Sequence, residues 1–210
     1  MGLIPDGLRR WAEANTTTLA EAYLRGAHKV TDILRLLHDR GVRTATVYNL
    51  SRANLGRADE ELDAVFAAST HFFTTLLPQN FDPASCSVRL HGKRELLPGT
   101  YLSAARKLET TMIGEDFRIN ILAAYDAVDE MREAHLRAQR EHIDIADAFD
   151  IGEVDLVIRT TAEPLLSGFL PMQSQYAQLA FLSTPLNDLE PGSIDQLLSE
   201  FQLSPQRRGR

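Results

Sequence analysis

Apolar residues recur along this chain with two alternating periods. Over residues 19–40, Leu19, Tyr23, Ala27, Val30, Ile33, Leu34 and Leu37 fall on one helical stripe, and Gly41 stands where such a helix stops. Thr44-Ala45-Thr46-Val47-Tyr48 then reads as a strand. Helical spacing resumes over residues 59–77, where Pro78 predicts a break. Further strand signals lie at residues 87–91, 117–124 and 154–158, and further helical ones at 101–112, 126–140 and 193–202. The segment between Leu77 and Ser87 reads as a mobile loop. Strands alternating with helices of crossover length predict an α/β fold, a parallel sheet flanked by helices.

In such sheets ligands bind beyond the carboxyl ends of the strands. That rule selects three segments: Asp6-Gly7-Leu8-Arg9-Arg10, Ser51 to Arg57, and Arg159-Thr160-Thr161-Ala162-Glu163. Each joins arginine to small polar residues, a combination suited to oxyanions. The first suits a diphosphate. Gly7 lets backbone approach a ligand closely. The helix that follows offers free N–H groups and the positive end of its dipole. Asp6 is an oxygen ligand for Mg²⁺, and Arg9 and Arg10 can clamp phosphate oxygens. Plainer roles stand beside these. Asp6-Gly7 is also a common turn and cap, Arg57 can pair with Glu60 or Glu61, Arg159 with Glu163, and Ser51 and Asn54 can cap the helix from Asp59. Phe66, Phe72, Phe73, Leu76 and Leu77 line a tail pocket or fill the core, which periodicity does not separate.

Composition narrows the choice. With 210 residues and 44% hydrophobic content, a single domain over residues 1–210 can bury one substantial core. The net charge of -7 argues against general nucleic-acid binding. Cys86 is the sole cysteine, so there is neither an internal disulfide nor a multi-cysteine zinc site. The six histidines are scattered, and none has convincing metal-ligand partners. No apolar run approaches the roughly 18 residues of a membrane span, and the first residues lack a signal-peptide pattern. The expectation is a soluble cytoplasmic protein without an integral membrane segment.

The three segments, in order and spacing, resemble the cis-prenyltransferase family, which includes undecaprenyl diphosphate synthases. That family's Asp-Gly-Asn-Gly-Arg-Trp-Ala loop matches Asp6-Gly7-Leu8-Arg9-Arg10-Trp11-Ala12, and its Ser-x-x-Asn-x-x-Arg matches Ser51, Asn54 and Arg57. Its Asp-Leu-x-Ile-Arg-Thr-Gly-Gly-Glu matches Asp155 to Glu163, and its Ser-Asn-Phe-Leu matches Ser167 to Leu170. Its Gln-x-x-Tyr-Ala-Glu-Leu-Tyr-Phe matches Gln173 to Phe181, with Gln178 at the glutamate, and its terminal Arg-Arg-x-Gly survives in part at Arg207-Arg208-Gly209. The resemblance implies a homodimer, an apolar tunnel for an isoprenoid tail, and a prenyltransferase acting on isoprenoid diphosphates with Mg²⁺. It implies Asp6 as metal ligand and catalytic residue, and Asn54 as a second catalytic residue. Gly7, Leu8, Arg9, Arg10, Trp11, Tyr23, Ser51, Arg57 and Gln178 would contact substrate, and Arg159 and Ser167 would grip the second substrate's diphosphate. Arg207 or Arg208 would reach across the dimer.

The departures point within the family. Leu8-Arg9 replaces Asn-Gly, Tyr23 replaces a histidine, and Leu19 an arginine; Leu165 replaces the second arginine of the acceptor site, and Gln178 a metal-contacting glutamate. Each lost charge-assisted contact is worth ~1.5–3 kcal/mol, which disfavours ordinary elongation with isopentenyl diphosphate. The Asp-Gly-x-Arg-Arg-Trp loop and Tyr23 resemble the irregular, lavandulyl-type branch. The expected function is therefore head-to-middle condensation of short allylic diphosphates, with or without cyclisation. The alternatives are a terpene cyclase using one prenyl diphosphate, and a non-catalytic subunit of a cis-prenyltransferase complex.

Overall fold

The structure, a computed structural model, describes residues 1–204. The short strand β1 (Gly2–Ile4) lies inside the sheet, between β2 (Thr44–Ser51) and β5 (Leu156–Arg159). β4 (Phe117–Tyr125) and β3 (Cys86–His91) extend the sheet beyond β2, and β6 (Gln178–Phe181) forms the other edge beyond β5. All the pairings are parallel, so the order is β3-β4-β2-β1-β5-β6. Every residue of β4 except Arg118 and the buried polar Asn120 is both apolar and buried, as a parallel sheet covered on both faces requires.

The helices are α1 (Leu8–Ala14), α2 (Leu19–Asp39), α3 (Asp59–His71), α4 (Leu77–Asn80), α5 (Gly99–Thr111), α6 (Ala127–Glu141) and α7 (Pro191–Leu203). A capping box starts α2: Thr18 Oγ1 accepts the Glu21 N–H, and Glu21 Oε2 accepts the Thr18 N–H, both at 3.2 Å. The predicted stripe of α2 is buried at Val30, Ile33, Leu34 and Leu37, in a core shared with Val47, Phe73, Tyr101 and Ile119. A smaller cluster gathers Ile4, Leu122, Val157 and Phe169. Leu3 and Ile121 belong to the first cluster while their neighbours Ile4 and Leu122 belong to the second, because successive strand residues point to opposite faces.

Three expectations change. β2 runs past Tyr48 to Ser51, because its ladder with β4 continues through an irregular register. Pro78 does not end the helical run. α3 passes through a π turn at Phe72–Leu76 into α4, and Pro78 falls in the first turn of α4, where a missing N–H costs least. The segment from Leu77 to Ser87 is thus partly helical and is held by buried Leu77, Phe81 and Cys86. β6 carries no strand signal of its own and exists through pairing with β5. Among the described residues no helix is long and apolar enough to cross a membrane.

Candidate active site

A cavity of about 490 Å³ opens beyond the carboxyl ends of β1, β2 and β5. Its mouth is polar, with Asp6, Arg9, Arg57 and Arg159, and its interior is apolar, with Val30, Val47, Val65, Ala68, Phe72 and Ile121. The three segments selected from the sequence therefore meet in one place, at the mouth of a cavity with apolar walls behind it.

Asp6 is fixed from every side. Its Oδ2 accepts from Arg159 Nη2 at 2.7 Å, from Arg159 Nε at 3.2 Å and from the Thr161 hydroxyl at 3.3 Å, and its Oδ1 accepts the Gly7 N–H at 2.6 Å. The Thr160 hydroxyl accepts the Asp6 N–H at 2.7 Å and donates to the Asp6 carbonyl at 2.9 Å, tying β1 to β5. Gly7 has φ +88, and a Cβ there would press on Pro185 at 3.1 Å, so the turn demands glycine. Burial alone would raise the Asp6 pKa; the hydrogen bonds from Arg159 and Gly7 and the charges of Arg159 and Arg10 outweigh it, so the carboxyl sits below its ordinary range. Arg159 is itself buried, with Nη1 donating to Ser167 Oγ at 2.9 Å and to the Leu165 carbonyl.

The second group is built on Glu61, a buried carboxylate on α3. Its Oε1 accepts from the Tyr23 hydroxyl at 2.7 Å and from Arg57 Nη1 at 2.9 Å, and Arg9 Nε lies 3.5 Å away. Tyr23, Arg57 and Arg9 all line the cavity, so one carboxylate orients three groups that face it. The Arg57–Glu61 pairing anticipated as a plain alternative is present, but its Arg57 end is half-buried at the mouth of the cavity and its Glu61 end is buried. Glu61→Gln is expected to raise KM for an allylic diphosphate about ten-fold with little change in kcat. A fall in KM instead would show that Glu61 competes with substrate for the arginines.

Ser51 and Asn54 cap one another rather than α3. The Ser51 N–H donates to Asn54 Oδ1 at 3.3 Å, and the Asn54 N–H donates to Ser51 Oγ at 3.1 Å. Ala58, the residue before α3, makes no side-chain cap. Ser167 has φ +51, a left-handed conformation rare outside glycine and asparagine. The Tyr48 hydroxyl donates to its carbonyl at 3.1 Å, and Arg159 holds its hydroxyl.

Not every expected residue reaches the cavity. Leu8, Arg10 and Ser167 line it; Trp11 does not, because its Nε1 donates to Asp188 Oδ1 at 2.6 Å and Arg25 stacks over its ring at 5.3 Å. Gln178 is paired with Leu156, the first residue of β5, and so stands at the amino end of the sheet, away from the mouth. Leu165 is 58% exposed and gives Arg159 only its carbonyl. Of the five apolar residues left between pocket and core, Phe72 lines the cavity, whereas Phe73, Leu76 and Leu77 are in the core and Phe66 packs against it. Glu61 and Tyr48 join the site without having been assigned a role; Glu61, four residues after Arg57, left a signal in the spacing, and Thr160 and Thr161 lay within the selected segment after Arg159.

Among the described residues no group of three or more metal-ligating side chains exists. Asp6 nevertheless suits a Mg²⁺ ion shared with a diphosphate. Mg²⁺ is commonly held by one or two carboxylates with phosphate oxygens and waters completing its shell. The Gly7 N–H is the one hydrogen bond made to Asp6 Oδ1 among the described residues, which leaves that oxygen a lone pair.

A family profile described as putative undecaprenyl diphosphate synthase matches residues 4–209. The chain is 32% identical over 227 residues to the tritrans,polycis-undecaprenyl-diphosphate synthase (geranylgeranyl-diphosphate specific) of Methanopyrus kandleri, covering 100% of this chain and 84% of that one. It is 32% identical over 200 residues to isoprenyl transferase 1 of Corynebacterium glutamicum, covering 85% of this chain and 88% of the relative. In fold it is similar to lavandulyl diphosphate synthase from Lavandula x intermedia, solved with dimethylallyl diphosphate, at TM-score 0.87 and 19% identity over 98% of this chain and 95% of that one. It is also similar to a probable undecaprenyl diphosphate synthase from Campylobacter jejuni, at TM-score 0.83 and 19% identity over 100% and 97% of the two chains.

Proposed function

The chain belongs to the undecaprenyl diphosphate synthase family of prenyltransferases, and from that premise we propose that it joins short allylic diphosphates by irregular, head-to-middle condensation, with or without cyclisation. The observation that carries this reading is the uneven charge around the cavity. Asp6, Arg9, Arg57 and Arg159 converge on its mouth, whereas Leu165 is apolar and Gln178 lies at the far end of the sheet. One diphosphate has a cradle; the second lacks an arginine and a carboxylate.

In this reading Arg9 and Arg57 bind the diphosphate oxygens of the donor, and Arg159 and Ser167 grip those of the second substrate. A Mg²⁺ ion held by Asp6 would neutralise charge on the departing diphosphate. Asn54, whose Oδ1 is engaged by Ser51 and whose amide N–H groups have no partner among the described residues, would steady the same oxygens. The allylic carbon–oxygen bond breaks with its electron pair leaving on the diphosphate. The double bond of the second substrate attacks the allylic carbon, and the resulting cation loses a proton to the diphosphate. The apolar walls keep water from the cation. A homodimer belongs to the reading: β6 is an edge strand, and Tyr176 and Leu179 beside and on it are exposed apolar surface for a second copy. Arg207 and Arg208, expected to reach across, lie outside the described residues. Because a single charged mouth is present, cyclisation of one prenyl diphosphate is the second reading.

Incubation with dimethylallyl, geranyl and farnesyl diphosphates, each with and without radiolabelled isopentenyl diphosphate, tests the proposal. Two missing charge-assisted contacts amount to ~3–6 kcal/mol if additive, so label should not enter a long-chain product. A coupled product from allylic substrates alone supports condensation, and a cyclic product from one substrate supports the second reading. Efficient formation of a labelled polyprenyl diphosphate of many units overturns both.

A further inference from the structure

The turn that brings Ser167 to the mouth has a costly backbone shape. Ser167 has φ +51 and Leu170 φ +37, both in the left-handed region that residues with a Cβ seldom occupy, and Gly168 between them has φ +81. Such a turn persists only where its surroundings over-determine it. Within the segment, the Phe169 N–H donates to the Leu166 carbonyl and the Ser174 N–H to the Leu170 carbonyl, both at 2.9 Å. Phe169 and Leu170 are fully buried in the smaller apolar cluster.

A further tether comes from β2. Val47 belongs to the larger core, so Tyr48 beside it points to the opposite face of the sheet, where Phe169, Leu170 and Tyr125 gather. The Tyr48 ring centre lies 5.6 Å from that of Phe169 and 6.0 Å, edge-on, from that of Tyr125. Its hydroxyl donates to the Ser167 carbonyl at 3.1 Å and stands 3.8 Å from where a Cβ on Gly168 would be. Burial pushes the phenol up to about 12, so near neutral pH it remains a donor. Tyr125 is braced in turn. Its hydroxyl donates to Glu130 Oε2 at 2.6 Å, and Gln173 Nε2, from the far side of the same turn, donates to Glu130 Oε1 at 3.0 Å. The segment from Ser167 to Gln173 is thus fastened both to β2 and to Glu130 on α6.

We infer that Tyr48 is a positioning residue for the second diphosphate: by holding the Ser167 carbonyl it fixes the left-handed turn that keeps the Ser167 hydroxyl on Arg159 and at the mouth. Without that bond Ser167 can relax toward commoner backbone angles and carry its hydroxyl off Arg159 Nη1, now 2.9 Å away. The inference rests on the reading of the cavity as a site for two isoprenoid diphosphates, and it names a residue that acts on the second of them through Ser167.

Calorimetric titration with dimethylallyl thiolodiphosphate, which does not turn over, separates binding from chemistry. Wild-type protein should bind it in two steps. Arg57→Ala marks the donor step by weakening it, and Ser167→Ala marks the second. Tyr48→Phe keeps the ring and its packing, and should weaken the second step about five-fold while sparing the donor step. In the Ser167→Ala background the same substitution should add little, because the hydroxyl it positions is gone; a merely structural loss would be equal in both backgrounds. Unaltered binding by Tyr48→Phe overturns the assignment, and so does an equal loss with and without the Ser167 hydroxyl. Melting temperatures accompany each variant. If Tyr48→Phe does not fold, Gly168→Ala, which strains the same turn, is titrated in its place, and unaltered binding again overturns the assignment. If one step alone is seen, and Ser167→Ala and Tyr48→Phe weaken it without adding, Tyr48 keeps its role and the two-diphosphate reading falls; if the analogue does not bind, both fall.

Discussion

Asp6→Asn is expected to lower Mg²⁺-dependent turnover by on the order of 10³-fold, equivalent to about 4 kcal/mol of barrier. The amide keeps the shape of the side chain and its contact with the Gly7 N–H, but it removes the carboxylate facing the diphosphate site. Stability should fall less, by about 1–3 kcal/mol, because Arg159 keeps Thr161, Ser167 and the Leu165 carbonyl as partners. The pH dependence separates the two effects. The folded pKa of Asp6 is depressed, so the contribution of the Asp6–Arg159 pair is complete above the ordinary carboxylate range and is lost as pH falls through the folded value. Urea titrations of wild type and variant should differ near pH 7 and converge towards acid. Turnover close to wild type in the variant would remove Asp6 from the chemistry.

Arg159→Ala should raise KM for a diphosphate substrate about 100-fold. This guanidinium does several things at once. Two of its nitrogens hold Asp6, and the third holds Ser167 and the Leu165 carbonyl, so its loss frees both the Asp6 carboxylate and the turn that carries Ser167. Arg159→Lys should recover only part of the loss, because an ammonium group cannot reproduce the fork. An unchanged KM for every substrate, with a lowered melting temperature, would make Arg159 purely structural.

The parts of this molecule most legible in the sequence are those set by local pattern. The α2 stripe and the turn at Gly7 follow from period and from glycine chemistry. The rule that ligands sit at carboxyl strand ends then brought Asp6, Arg57 and Arg159 together across the length of the chain. What escaped depends on tertiary contact. β6 pairs with β5 without strand-like alternation of its own, and Pro78 is tolerated because a π turn re-phases the helix before it. Trp11 sits in the loop motif, yet Asp188, remote in sequence, draws its indole aside. Glu61 looked like one of several surface acids at the start of a helix, and only the packing of α2 against α3 buries it beside Tyr23.

The placing of β1 also governs how the chain folds. The first strand among the described residues is an interior one in the sheet, and it is only three residues long. One neighbour, β2, is made soon afterwards, but the other is β5, and the Asp6–Arg159 contact spans 153 residues of sequence. Closing so large a loop costs entropy that few early contacts can offset, so the β1–β5 pairing is expected to form after β1 has met β2. The β2–β4–β3 half of the sheet, with α2, α3 and α5, can assemble before β5 exists. The Asp6–Arg159 pair therefore needs both ends of this separation in place, and a chain ending before Leu156 would lack β5 and one half of that pair.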